Sequence, residues 1–246
     1  MNITKKISGI SQTLQRVLKR PVSELLMVQN DVLAMQRLQP LYSEFIPWTS
    51  SALRPAAVEL LLNDITINDR RVIVEFGSGV STFFIAALLQ SRRGHLFSVE
   101  HDPKWASIVR KELERRGLLD HVTLIKAPLE TSPFGTQQGD WHNEPVVYTW
   151  YDTAVLEQKL PPKGIDLVVV DGPPAFKDQY RFARFPALPY IADRLASCCT
   201  IVLDDIDREG EQTVVAKWEE QTSFRFQVLT SRGNIAVSHT GRAFNI

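Results

Sequence analysis

Short, continuous apolar runs alternate along this chain with stretches in which apolar residues recur at helical spacing. The runs RVIVEF, HLFSVE, HVTLIK, IDLVVV and CCTIVL predict strands buried on both faces, because each lacks the polar alternation of a half-exposed sheet. Between them, helical periodicity follows Ser81 and Thr82, runs from Pro103 through Ile108, Val109 and Leu113 toward Gly117, and resumes at Val214, Val215 and Trp218. Strands alternating with helices in this way predict an α/β chain with a doubly wound, mostly parallel sheet. FRFQVLT and NIAVSHT, separated by Ser231, Arg232 and Gly233, predict a terminal antiparallel hairpin.

The segment before the first strand is helical in pattern. Ile3, Ile7, Ile10, Leu14, Val17 and Leu18 share one helical face, while Lys5, Lys6, Arg16, Lys19 and Arg20 meet no acid before Glu24. Residues 3–20 thus read as a basic amphipathic helix suited to a peripheral membrane contact or to packing against its own domain or a partner subunit. Pro21 interrupts it, and a second helix carries Leu25, Leu26, Val28, Val32, Leu33 and Met35. A third, capped by Ser50 or Ser51, carries Ala56, Val58, Leu60, Leu61 and Leu62. The expected division is a helical extension over 1–66, whose Tyr42, Phe45 and Trp48 either pack in the core or form part of a lid, and a second domain over 67–246.

Chemistry concentrates where strands end. In RVIVEFGSGVST the first strand closes on Glu75 and turns through Gly77, Ser78 and Gly79 into a helix starting at Ser81 and Thr82, which aims backbone N–H groups at a ligand. A dinucleotide fingerprint requires a third glycine where Thr82 stands. The acidic-x-Gly-x-Gly pattern of Glu75, Gly77 and Gly79 resembles the first motif of the class I S-adenosylmethionine-dependent methyltransferases, which implies a Rossmann-like fold and that cofactor. Glu100 ends the second strand about twenty residues beyond the glycine turn, where an acid accepts from both ribose hydroxyls. Asp102 and Pro103 then cap and start the next helix. The resemblance places His101 beside Glu100 and puts the adenine at the loop after the third strand, where Pro128 and Leu129 offer only backbone groups.

Asp171 ends the fourth of these strands before a sharp break at Gly172, Pro173 and Pro174, and Asp204 and Asp205 end the fifth. In a doubly wound sheet these ends lie side by side, so the three aspartates should converge, and a divalent cation such as Mg²⁺ would relieve their repulsion. The arrangement resembles the catechol-type metal-dependent O-methyltransferases, implying that Asp171, Asp204 and Asp205 hold the metal that binds the acceptor hydroxyl. That family has a lysine base shortly after the first aspartate. Here Lys177 lies farther along, and Asp171 itself is the other candidate base. The pattern of VDGPP, then Arg184, Phe185, Pro186, Ala187 and Leu188, then LDD with Arg208 and Glu211, resembles bacterial members of the superfamily.

The stretch from about 130 to 164 is long for a connection and reads as a substrate-recognition insertion. His142, Trp150 and Tyr151 are its candidate acceptor contacts, and Arg184 would bind an acidic acceptor.

Composition narrows the function further. The 246 residues carry 28 Lys and Arg against 28 Asp and Glu, so no global field attracts nucleic acid. Adjacent Cys198 and Cys199 read as reduced core thiols of a cytoplasmic protein, associated with the inner membrane face if at all. The expected reaction is O-methylation of a saccharide or other small molecule, with metal assistance. The rivals are a nicotinamide-dependent oxidoreductase, disfavoured by Glu75 and Thr82, and a methyltransferase-like scaffold without turnover.

Overall fold

The computed structural model describes residues 22–42, 44–132, 148–241 and 244. The expected basic helix over 3–20 and His142 lie outside them. The chain is helical over 22–38 (α1), then runs α2 Pro55–Ile67, β1 Val72–Phe76, α3 Val80–Leu89, β2 His95–Glu100, α4 Pro103–Arg115 and β3 Val122–Lys126. A small hairpin of β4 Leu129–Thr131 and β5 Thr149–Tyr151 leads to α5 Thr153–Lys159. Then come β6 Ile165–Val170, α6 Ala187–Ile191, β7 Leu195–Leu203, α7 Glu209–Gln221, β8 Gln227–Leu229 and β9 Ile235–His239.

The main sheet has the order β3-β2-β1-β6-β7-β9-β8. Its first five strands are parallel, and β9 pairs antiparallel with both β7 and β8, so the predicted terminal hairpin closes the sheet. Strand order reverses between β2-β1 and β6, and that switch point opens a crevice at the carboxyl ends.

Alternation along the buried strands splits the core into two apolar layers, since successive side chains point to opposite faces. Ile73, Leu167, Val169 and Val202 pack beneath α2, α3 and α4 with Leu61, Ile65, Phe84 and Leu113. Val74, Phe76, Val168, Val170, Ile201 and Leu203 pack on the other face with Trp150, Leu188 and Trp218. Burying a large apolar side chain stabilises by roughly 1.5–3 kcal/mol, so both layers are needed to hold the strand ends in register.

Two local expectations are corrected. Helix α2 starts at Pro55, and its cap comes from neither Ser50 nor Ser51: Asp31 of α1 accepts from the Ala56 amide (3.2 Å) and pairs with Arg54. The insertion after β3 is not wholly irregular either, because its described ends form the β4–β5 hairpin, and Asp152 caps α5 by accepting from Ala154 and Val155. Asp102 caps α4 as expected, accepting from Lys104 and Trp105. Leu25, Val28 and Val32 on α1 remain more than half exposed. Among the described residues no helix is long and apolar enough to cross a membrane.

Candidate active site

The glycine turn after β1 is locked from beneath by Glu75. Its buried carboxylate accepts from the hydroxyls of Ser81 (2.5 Å), Thr82 (2.6 Å) and Ser98 (2.6 Å), and Thr82 Oγ1 in turn accepts from the Gly79 amide (2.9 Å). Burial pushes the Glu75 carboxyl up, and the three hydroxyl donors pull against that shift. Thr82, at the position of a third glycine, therefore works as part of the turn. Gly77 is required here, because its φ is +99° and a Cβ would come within 3.1 Å of Asp171 and Gly172 backbone atoms.

Glu100 sits at the end of β2, only 5% exposed. Its carboxylate accepts from the amides of Ser78 (3.3 Å) and Asp102 (2.7 Å) and lies 3.0 Å from His101 Nδ1. The Ser78 carbonyl accepts from Trp105 Nε1 (2.8 Å), which fixes the loop from the α4 side. Pro128 is exposed beyond β3, and its carbonyl accepts from the Asp152 amide (2.7 Å), while Leu129 enters β4 opposite Tyr151.

The acid cluster forms as the sheet topology requires. Asp171 follows β6, Asp204 and Asp205 follow β7, and one carboxylate oxygen from each lies within 4.8 Å of the others. Asp204 and Asp205 are not caps of α7, whose N-cap is Arg208. Asp205 holds φ +61°, a left-handed conformation that aspartate tolerates better than most residues. Asp171 and Asp204 share a hydrogen bond, and both carboxyls are pushed up, first by burial and then by neighbouring carboxylates, with Arg184 opposing the rise. Glu211, at 1% exposure, joins them from α7 and is pushed up to about 7, chiefly by burial.

Two arginines face these four acids. Arg184 Nη2 is 2.9 Å from Asp205 Oδ2 and 3.4 Å from Asp171 Oδ1, and Arg208 Nη1 is 2.8 Å from the same Asp205 oxygen. Both also come within 3.8 Å of Glu211. If all four acids were ionised, two negative charges would remain, and the raised carboxyls can hold protons to match. A divalent ion among the aspartates would instead sit beside a buried guanidinium. Arg184 and Arg208 already hold oxygens of Asp171 and Asp205 that an ion would need, so the donor set as placed fits a resident divalent ion poorly.

Several expected side chains are placed differently. Arg184 is enclosed, its donors spent on this cluster and on backbone carbonyls, so it does not reach toward an acidic acceptor. Lys177 is exposed, with its Nζ 5.8 Å from the Phe176 ring centre, and makes no hydrogen bond or ion pair with the aspartates among the described residues. Trp150 is fully buried against Phe76, with ring centres 4.9 Å apart, as core. Tyr151 is also fully buried, but its hydroxyl touches Gly172 and has no hydrogen-bond partner among the described residues. Tyr42 and Trp48 pack on Phe84, whereas Phe45 is exposed.

Ser98, Arg208 and Glu211 carry roles that the sequence reading did not assign. A serine inside the apolar run HLFSVE was the available signal for the first. Arg208 at three residues from both Asp205 and Glu211 was the signal for the others.

Residues 74–206 match the family described as a methyltransferase domain. A methyltransferase from Podospora anserina, solved with S-adenosylhomocysteine bound, shares the fold with a TM-score of 0.56 at 14% identity, over 94% of this chain and 96% of that one. An O-methyltransferase from Streptomyces achromogenes involved in tomaymycin synthesis, solved with S-adenosylmethionine, gives a TM-score of 0.52 at 15% identity over 81% and 93%. A protein-L-isoaspartate O-methyltransferase of Staphylothermus marinus is 30% identical over 83 residues, which span 31% of this chain and only 36% of that relative. With its family match covering the glycine turn, Glu100 and the three aspartates, the chain belongs to the class I S-adenosylmethionine-dependent methyltransferases.

Proposed function

We propose that the protein transfers the methyl group of S-adenosylmethionine to a hydroxyl oxygen of a small acceptor, a saccharide or another hydroxylated molecule. The observation that carries this reading is contact between the glycine turn and the acid cluster. Gly77 lies so close to Asp171 and Gly172 that no side chain fits between them. A donor held by the turn and an acceptor held by the aspartates would therefore meet at the same strand ends.

In this reading the backbone of Gly77, Ser78 and Gly79 receives the methionine part of the donor, with Glu75, Ser81 and Thr82 keeping the turn in shape. Glu100 accepts from the ribose hydroxyls, with His101, Pro128 and Leu129 bordering the nucleoside. When bound, S-adenosylmethionine supplies an electrophilic methyl group on sulfur. The Asp171–Asp204 pair, which shares a hydrogen bond, accepts the hydroxyl proton as the new carbon–oxygen bond forms and the carbon–sulfur bond breaks. S-adenosylhomocysteine is the leaving product.

The test is formation of S-adenosylhomocysteine across paired acceptors that differ only in carrying a hydroxyl or an amine at the same position. Turnover confined to hydroxyl compounds is expected, and turnover confined to the amines would replace the oxygen assignment with nitrogen.

A further inference from the structure

Arg184 enters the site from the segment between β6 and α6, and only 4% of its side chain is exposed. Three backbone carbonyls at the ends of β6 and β7 hold it before any carboxylate does. Nε donates to Pro173 (3.3 Å), Nη1 to Asp204 (3.1 Å) and Nη2 to Asp171 (2.9 Å). The same Nη2 reaches Asp205 Oδ2 and Asp171 Oδ1, oxygens of two of the three aspartates that would have to turn toward an ion. Asp205 is further bracketed by Arg208 from the α7 side. A planar guanidinium fixed through three carbonyls cannot swing aside as a lysine could without leaving buried acceptors unpaired.

We propose that Arg184 is the resident cation of this centre: it aligns the aspartates and offsets part of their charge in place of a divalent ion, and methyl transfer proceeds without metal. Arg184 is then a positioning residue, acting on the acceptor through Asp171 and Asp205. The last clause rests on the methyl-transfer reading above, whereas the seat of the charge is testable without turnover.

The experiment is a titration of the full chain with Mn²⁺, followed by electron paramagnetic resonance, for the wild type and for Arg184→Met. The wild type should bind Mn²⁺ no more tightly than the weak millimolar range of poorly built oxygen sites, with a melting temperature indifferent to chelator. Arg184→Met should bind Mn²⁺ at least about tenfold more tightly and be stabilised by it, because the aspartates have lost their cation. A merely structural arginine would leave Mn²⁺ affinity unchanged on replacement, and that result overturns the proposal. Micromolar binding by the wild type that disappears in Asp205→Asn also overturns it. Should Arg184→Met fail to fold, the wild type and Asp205→Asn decide the matter alone: weak binding in both, with chelator-insensitive melting, supports the proposal. If no acceptor is ever turned over, the functional reading fails while the Mn²⁺ result stands.

Discussion

Glu75 near the end of β1 and Asp171 just past the end of β6 belong to neighbouring parallel strands, with Phe76 registered against Val170, yet their charges are met by different chemistry. Three neutral hydroxyls close around Glu75, all from its own turn and the adjacent β2. Asp171 faces another carboxyl and a guanidinium, and it keeps 13% of its side chain exposed toward the crevice. Neutral donors in a closed shell make a rigid turn with nothing left to exchange. A cluster balanced by charges and shared protons can take up or release a proton at little structural cost. On the proposed function, the first region holds the donor and the second reacts with the acceptor.

The largest expected effect comes from separating the two at Asp171. Asp171→Asn should lower kcat by about 10²–10⁴, the usual range for a lost general base, while S-adenosylhomocysteine affinity stays within about threefold. Equal losses in both would show that Asp171 is part of the donor pocket.

Glu75→Ala should do the converse, since it strips a common acceptor from three buried hydroxyls. We expect about 3 kcal/mol of destabilisation, or roughly 6–12 °C in melting temperature, with donor binding impaired as the turn loosens. A variant that melts like the wild type would mean that the hydroxyls find other partners and the turn is not held by Glu75.

The smallest effect is a pH dependence confined to the acid cluster. Glu211 is raised to about 7, so between its unfolded value near 4.5 and about 7 the folded state binds more protons than the unfolded one. Its contribution to stability is full at the acid end and is lost as pH rises through 7. Thermal melts from pH 5 to 8 should show this decline, and Glu211→Gln should make it shallower, with Asp204 still titrating in the same window. A profile of unchanged slope in the variant would place the titration elsewhere.

Strand ends were legible in the sequence because β1, β6 and β7 are covered on both faces and therefore read as unbroken apolar runs ending in acids. The cap at Asp102 was legible because its partners lie two and three residues on. What compensates each acid was not. Ser98 reaches Glu75 across 23 positions, and Arg184 meets Asp205 only because a turn folds the segment after β6 over the end of β7. Asp31 likewise caps a helix 25 positions away. Pairings of this kind depend on where the sheet brings distant residues, so local spacing could bring the three aspartates together but not the arginines that meet them.

The most direct test of the account is calorimetric titration of the wild type and Glu100→Gln with S-adenosylhomocysteine, beside NADH as a control. One site per chain is expected in the wild type, with about tenfold weaker binding in the variant as charged acceptance of the ribose is lost, and no heat with NADH. Binding of NADH with none of S-adenosylhomocysteine, or equal affinity in wild type and variant, would contradict the assignment of the crevice between Gly77 and Glu100.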